Sequence, residues 1–256
     1  MKTYENALIE KVSDFGAGIF EMYIKTKAAE SALPGQFVMV YPKSAATILP
    51  RPISICEVMD KSVLRLVYRV AGAGTGEFSK YKGGDEVRIL GPVGNGFPLD
   101  RAIGKRALLM GGGIGVPPIL QLSKEISAKE VTTLVGYRDN ALFLIDDFKK
   151  YANVYVATED GSVGTRGNVM DAIREQNIEC DVIYACGPMP MLRAIKKYAE
   201  EKGIEAYISL EERMACGVGA CLGCVCKTTS KDHHSHVNNA RVCTEGPVFE
   251  AREVDI

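Results

Sequence analysis

The strongest chemical pattern in this chain is a nine-residue run near its C-terminus. Cys216-Gly217-Val218-Gly219-Ala220-Cys221-Leu222-Gly223-Cys224 is C-x4-C-x2-C, and Cys243 follows at a distance. Thiolates at that spacing suit a plant-type [2Fe–2S] cluster, in which two irons bridged by sulfide take four thiolates. A loop that gathers them must curl tightly and aim N–H groups at the sulfurs. Gly217, Gly219 and Gly223 permit such backbone, and hydrogen bonds to sulfur tune the reduction potential. A zinc ribbon normally pairs two C-x2-C knuckles; only one is present, so the spacing favours iron–sulfur over zinc. Both Cys226 and Cys243 remain candidates for the fourth ligand, and the distant-fourth pattern favours Cys243. His233, His234 and His236 are all the histidines in the chain, within Lys231-Asp232-His233-His234-Ser235-His236. That polar run reads as a solvated hairpin tip rather than as Rieske-type ligands.

Three further constellations suit nucleotides. Met110-Gly111-Gly112-Gly113-Ile114-Gly115-Val116-Pro117-Pro118 follows a strand pattern and opens a helical one. Glycines there let backbone approach a pyrophosphate at a helix N-terminus, and proline suits the first helical turn. The run is not a literal G-x-G-x-x-G. Tyr184-Ala185-Cys186-Gly187-Pro188-Met189 repeats the geometry at another strand end. Ligands gather at such ends of parallel sheets, although Cys186 is also consistent with a plain buried thiol. Arg51-Pro52-Ile53-Ser54, with Tyr68-Arg69-Val70 and Gly72-Ala73-Gly74-Thr75-Gly76 downstream, offers a guanidinium for phosphate and a hydroxyl for a ring nitrogen.

Positioning these groups requires three kinds of element. Residues 1–98 carry short β-rich runs such as 18–24, 36–40 and 63–70, the last alternating with period 2, and no helical stretch. They predict a small antiparallel barrel. Across residues 99–208, apolar strands at 107–110, 131–135, 154–157, 182–186 and 205–209 alternate with helices near 117–128, 142–150, 167–176 and 190–202. That order predicts a five-stranded parallel sheet with right-handed crossovers. Residues 209–256 are too few for an ordinary core, and a metal centre would supply the missing stabilisation.

Composition narrows the function classes. The 256 residues carry 31 basic and 32 acidic side chains, a formal net charge of −1, which gives no electrostatic case for nucleic acid or anionic membranes. No run approaches the roughly 18 apolar residues that span a bilayer. Met1–Asn6 lacks the apolar core of a signal peptide, so a cytoplasmic location is expected. Eight cysteines in a reducing compartment point to metal or redox chemistry rather than disulfides.

Taken in order, Arg51–Ser54, Gly111–Gly115 and Cys186-Gly187-Pro188-Met189 resemble the ferredoxin-NADP reductase superfamily, which joins an FAD-binding β-barrel to a nicotinamide-binding α/β domain. Ser209-Leu210-Glu211-Glu212-Arg213-Met214-Ala215 with the cysteine run, and Arg241-Val242-Cys243-Thr244-Glu245-Gly246-Pro247-Val248-Phe249, resemble the electron-transfer subunits of type B dihydroorotate dehydrogenase. The polar insert between Cys226 and Cys243 is a departure from that pattern. The resemblance implies domains at 1–98 (FAD), 99–208 (NAD(H)) and 209–256 ([2Fe–2S]). It implies that Arg51, Pro52, Ile53 and Ser54 bind FAD, with Ser54 at the isoalloxazine edge. Tyr68, Arg69 and Val70 would line the flavin, and Thr75 and Gly76 its pyrophosphate. Gly111, Gly112, Gly113 and Gly115 would hold the NAD(H) pyrophosphate. Cys186, beside Gly187 and Pro188, would lie near the nicotinamide, and Cys216, Cys221, Cys224 and Cys243 would bind the cluster. It implies an FMN-containing dihydroorotate dehydrogenase catalytic subunit as partner in a two-plus-two heterotetramer, serving pyrimidine biosynthesis. A reductase of the same superfamily serving ferredoxin, sulfide or hydrogenase chemistry is the nearest alternative, and a zinc-stabilised nucleotide-binding regulator is one of another class. At Arg138-Asp139 a 2′-phosphate and a free ribose hydroxyl both have a partner, so NADH over NADPH stays open there.

Overall fold

In a computed structural model describing residues 2–231 and 237–256, the N-terminal third closes into a six-stranded antiparallel barrel. Its strands are β1 (Thr3–Gly16), β2 (Ile19–Lys25), β3 (Phe37–Tyr41), β4 (Arg51–Asp60), β5 (Val63–Arg69) and β6 (Glu86–Val93), in spatial order β1-β2-β5-β4-β3-β6. The alternation expected of β5 is present, yet both of its faces are covered. Leu64, Leu66 and Tyr68 fill the barrel, whereas Val67 joins the core shared with the following domain. The glycine-rich segment after β5, in a region expected to carry no helical stretch, enters a short helix, α1 (Ala73–Phe78). The Thr75 hydroxyl accepts from the Ala71 and Gly72 N–H groups and donates to the Gly72 carbonyl, which fixes the turn that starts it.

The second unit contains β7 (Arg106–Gly112), α2 (Pro117–Glu125), β8 (Glu130–Tyr137), α3 (Ile145–Phe148), β9 (Asn153–Thr158), β10 (Thr165–Arg166), α4 (Val169–Glu175), β11 (Val182–Cys186), α5 (Met189–Lys202) and β12 (Glu205–Ser209). All five expected strands pair in parallel in the order β9-β8-β7-β11-β12. The order reverses between β7 and β11, and a ligand crevice opens outside the carboxyl ends of strands at such a switch. Helix α4 starts at a capping box: Asn168 accepts from the Met170 N–H and Asp171 accepts from the Asn168 N–H.

The tail contributes β13 (Val225–Lys227), β14 (Asn239–Arg241) and β15 (Val248–Glu250). β13 and β14 form a hairpin, and β15 pairs antiparallel with β12 at the sheet edge. With β10 on the other edge the sheet has seven strands among the described residues. The tail does not stand on a private core. Cys224, Cys226, Val242, Cys243 and Phe249 share one cluster with Leu108 and Ile183 of the sheet and with Phe37, Met39 and Val93 of the barrel.

Barrel and sheet are also joined by a buried ionic network. Arg65, on the outer side of β5, donates to Glu21 at 2.9 Å, Asp147 at 3.0 Å and Glu57 at 3.4 Å. Lys124 of α2 reaches Glu57 at 3.1 Å, and the Gln121 amide oxygen accepts from the Val58 N–H at 2.6 Å. Arg65, Glu21 and Glu57 are all buried, so each charge there depends on its partner.

Candidate functional site

The cysteine loop leaves β12 and curls back against the barrel. Gly217 (φ 67°) and Gly219 (φ 82°) adopt left-handed backbone, as their type allows. Gly223 was expected to share that role, but the third left-handed residue is Leu222 (φ 57°). What Gly223 supplies is an N–H directed to Cys221 Sγ at 3.4 Å. The Val218 and Cys221 N–H groups both point at Cys216 Sγ, each at 3.4 Å. Burial works against ionisation of Cys216, but these donors and the Cys221 thiol bring it down to about 6. Burial, together with the adjoining Cys224 thiol, pushes Cys243 up to about 11, so a metal must displace its proton.

The four candidate thiols fall into two adjoining pairs. Cys216 meets Cys221 in the accessible part of the loop, and Cys224 meets Cys243 in its buried part. Cys226 stands apart, packed in the core of the β13–β14 hairpin and subject to the charges of Glu212 and Glu245. Among the described residues no three His, Cys, Asp or Glu side chains gather around one metal position. Two pairs suit two irons taking two thiolates each, with N–H donors already aimed at the sulfurs. The donor set therefore fits a [2Fe–2S] cluster. The His233–His236 run lies outside the described residues.

The barrel face beneath this loop carries the flavin candidates. A Cβ on Gly217 would lie 2.7 Å from Met39 Cγ, so the loop rests directly on β3. Met39 is opposite Pro52 and Phe37 is opposite Ser54 in the β3–β4 ladder. Cross-strand partners share a face, so Pro52 and Ser54 lie on the face that the cysteine loop covers. Ile53 turns into the barrel. The Arg51 guanidinium donates to the Leu49 carbonyl at 2.6 Å and packs over α1, where a Cβ on Gly74 would meet its Nε at 2.9 Å. Tyr68 was expected to line a flavin, but its ring lies inside the barrel, stacked on Phe20 and edge-on to Phe78. Arg69 and Val70 are the members of that run that reach the surface. The Gly76 N–H is held by the Gly72 carbonyl at 2.8 Å, and Thr75 is occupied within its own turn.

The nucleotide turns occupy the switch point. Strand β7 runs into Gly113-Ile114-Gly115, and α2 begins with Pro117 in its first turn. A Cβ on Gly115 would fall 2.5 Å from the Cys186 carbonyl oxygen, and one on Gly112 would fall 2.5 Å from Met191 Sδ. These two glycines are required by the neighbouring turn at Cys186-Gly187-Pro188. Gly113 (φ 54°) is the open one, and a Cβ on it would approach Arg69 Nη2 at 3.7 Å. Burial, only partly offset by a hydrogen bond with Ser209, pushes the Cys186 thiol up to about 12. It is thus a neutral group at the floor of the crevice. Arg138 is exposed, while Asp139 accepts from the Ala141 N–H at 2.9 Å.

Sequence reasoning missed the Arg65 network and the role of Met39. Period-2 patterning marks Arg65 as outward-facing, but nothing local identifies its carboxylate partners.

A closed antiparallel barrel followed by a parallel sheet, with a glycine turn at the switch point, is the architecture of ferredoxin-NADP reductase-type flavin reductases. The structure aligns with a TM-score of 0.86 and 28% identity to the NADH-dependent reduced ferredoxin-NADP oxidoreductase studied for flavin-based electron bifurcation, covering 97% of this chain and 89% of that one. Residues 211–255 match the model of the iron-sulfur cluster binding domain of dihydroorotate dehydrogenase B. The electron transfer subunit of dihydroorotate dehydrogenase B (NAD(+)) from Geobacillus sp. (strain WCH70) is 42% identical over 99% of each chain. That of Bacillus caldolyticus is 45% identical over 88% of each. The chain belongs to the family of dihydroorotate dehydrogenase B electron transfer subunits.

Proposed function

We propose that this chain carries electrons from an FMN-containing dihydroorotate dehydrogenase catalytic subunit to NAD+, in pyrimidine biosynthesis, using a [2Fe–2S] cluster and FAD. When bound, the cluster handles single electrons, nicotinamide takes a hydride, and a flavin exchanges both ways. The observation that supports this reading is the order of the sites across three adjacent strands. The cysteine loop rests on β3, Arg51 to Ser54 lie on β4, and Arg69 at the end of β5 reaches toward Gly113.

In this reading residues 1–98 hold FAD, 99–208 hold NAD(H) and 209–256 hold the cluster. Arg51 neutralises flavin phosphate. Pro52, Ser54 and Val70 border the isoalloxazine, and Arg69 lies between the two nucleotides. Tyr68 supports the flavin strand from inside the barrel. The first turn of α1, shaped by Thr75 and Gly76, faces the flavin pyrophosphate. Gly113, held in place by Gly111, Gly112 and Gly115, faces that of NAD(H). Cys186, Gly187 and Pro188 floor the nicotinamide site, where a neutral thiol excludes water without adding charge. Cys216, Cys221, Cys224 and Cys243 are the metal ligands. The partner binds as a two-plus-two heterotetramer, in the cytoplasm. Among the described residues no helix is long and apolar enough to cross a membrane.

Anaerobic NADH titration of the purified chain, followed by absorbance, tests the reading. Bleaching of the flavin band followed by the iron–sulfur bands is expected; a fully loaded protein that NADH does not bleach overturns it. The 28% identity to a ferredoxin-linked oxidoreductase favours one second reading, a ferredoxin-serving reductase. Comparing ferredoxin with the dihydroorotate-oxidising partner as electron donor separates the two.

A further inference from the structure

The Thr244 side chain has no role in the site as described, and its hydroxyl is one of four buried side-chain oxygens lacking any hydrogen-bond partner among the described residues. Its position is specific. Thr244 follows Cys243 directly, and its N–H is held by the Arg241 carbonyl at 3.0 Å. The side chain lies under the apex of the cysteine loop, where a Cβ on Gly219 would meet Thr244 Cγ2 at 2.9 Å and Oγ1 at 3.3 Å. The Gly219 N–H in turn points to the Cys243 sulfur. Arg241 closes the far side, donating to the Gly219 carbonyl at 3.5 Å while Glu245 accepts from its N–H and Nε.

A buried hydroxyl left unpaired costs about 1–3 kcal/mol, and native proteins rarely leave one so. No acceptor in the protein takes it, and the Cys216 and Cys221 sulfurs are already served by backbone donors. The group that the four cysteines would hold carries inorganic sulfides, which are acceptors of the kind this hydroxyl lacks.

Resting on the cluster reading above, we propose that the Thr244 hydroxyl donates a hydrogen bond to a cluster sulfide and thereby raises the cluster's reduction potential. One electron enters the cluster on reduction and no proton moves. The added negative charge strengthens a bond to sulfur, so the donor favours the reduced form.

The test is an EPR-monitored redox titration of the loaded holoprotein, comparing wild type with Thr244→Val, Thr244→Ser and Thr244→Ala. Thr244→Val keeps the shape and removes the donor. It should make reduction about tenfold less favourable, a shift of about 59 mV to more negative potential for one electron. Thr244→Ala should shift in the same direction and stands in if the valine variant fails to load iron. Thr244→Ser keeps the donor and should titrate like wild type. An unchanged potential in both Thr244→Val and Thr244→Ala overturns the proposal. So does a Thr244→Ser shift equal to that of Thr244→Val, which would make the methyl packing responsible. A wild-type protein that takes up no [2Fe–2S] cluster would instead overturn the cluster reading itself.

Discussion

Replacing Arg65 with methionine removes the one cation that Glu21, Glu57 and Asp147 share at the joint between barrel and sheet. Methionine matches the length of the stem and leaves the carboxylates behind. Breaking a buried ion pair from one side costs about 3–5 kcal/mol. Each carboxylate keeps another cation, with Lys124 for Glu57 at 3.1 Å and Lys150 for Asp147 at 2.7 Å the closer two. Glu21 retains the Tyr23 hydroxyl at 3.1 Å and the exposed Lys11 at 3.7 Å. The loss therefore falls at the lower end, about 3 kcal/mol, or roughly 6–12 °C in Tm for a chain of this size. The chain has no tryptophan, so the melt is followed by circular dichroism.

The pH dependence gives the prediction its sign. In the wild type, burial of Asp147 is outweighed by Lys150 and Arg65, and its carboxyl is held below the ordinary range. It contributes stability above its unfolded value of about 3.9, and that contribution is lost as pH falls through the lower folded value. In Arg65→Met the Asp147 carboxyl loses one of the two cations that hold it low, and with it that part of its contribution. The Tm deficit should therefore shrink as the pH falls below about 4, where the wild type loses the same Asp147 contribution. A variant melting within about 1 °C of wild type, or a gap that widens in acid, refutes the reasoning.

Other substitutions separate the sites. Cys243→Ser should lose iron and labile sulfide, while Cys226→Ser keeps both, as metal analysis of the purified proteins will show. Gly115→Ala drives a methyl against the Cys186 carbonyl, where the Cβ would lie 2.5 Å away. It should raise the KM for NADH about tenfold at unchanged flavin content, since small displacements of a binding turn carry large costs. Cys186, buried and with its thiol pushed up to about 12, should resist iodoacetamide at about pH 8, where thiolate is the reactive form. Rapid labelling of that residue, read by peptide mass spectrometry, contradicts the buried, neutral thiol.

How much of this was legible in the sequence follows from the range of each interaction. The cysteine loop was readable because its ligands lie eight positions apart or fewer, apart from Cys243, and chemistry fixes their spacing. The five parallel strands were readable because each is a short apolar run between helical patterns. The glycine turn after β7 was located correctly, but the reason for its glycines was not. Gly112 and Gly115 answer to Met191 and Cys186, residues more than 70 positions away. Arg65 finds its partners 44, 8 and 82 residues distant, and no periodicity encodes those pairings. Strand β15 is three residues long and exists because β12 offers it an open edge. Helix α1 was hidden by its glycines, whose poor helix propensity is overridden by the Thr75 turn.

The central claim is that this chain conducts electrons and does not itself oxidise dihydroorotate. The most direct measurement is anaerobic NADH formation from dihydroorotate and NAD+, with this chain alone, the FMN-containing partner alone, and the two together. The account predicts NADH only from the pair, and its loss when Cys243→Ser replaces the wild-type chain. NADH formed from dihydroorotate by this chain alone, or none formed by a fully loaded pair, would contradict it.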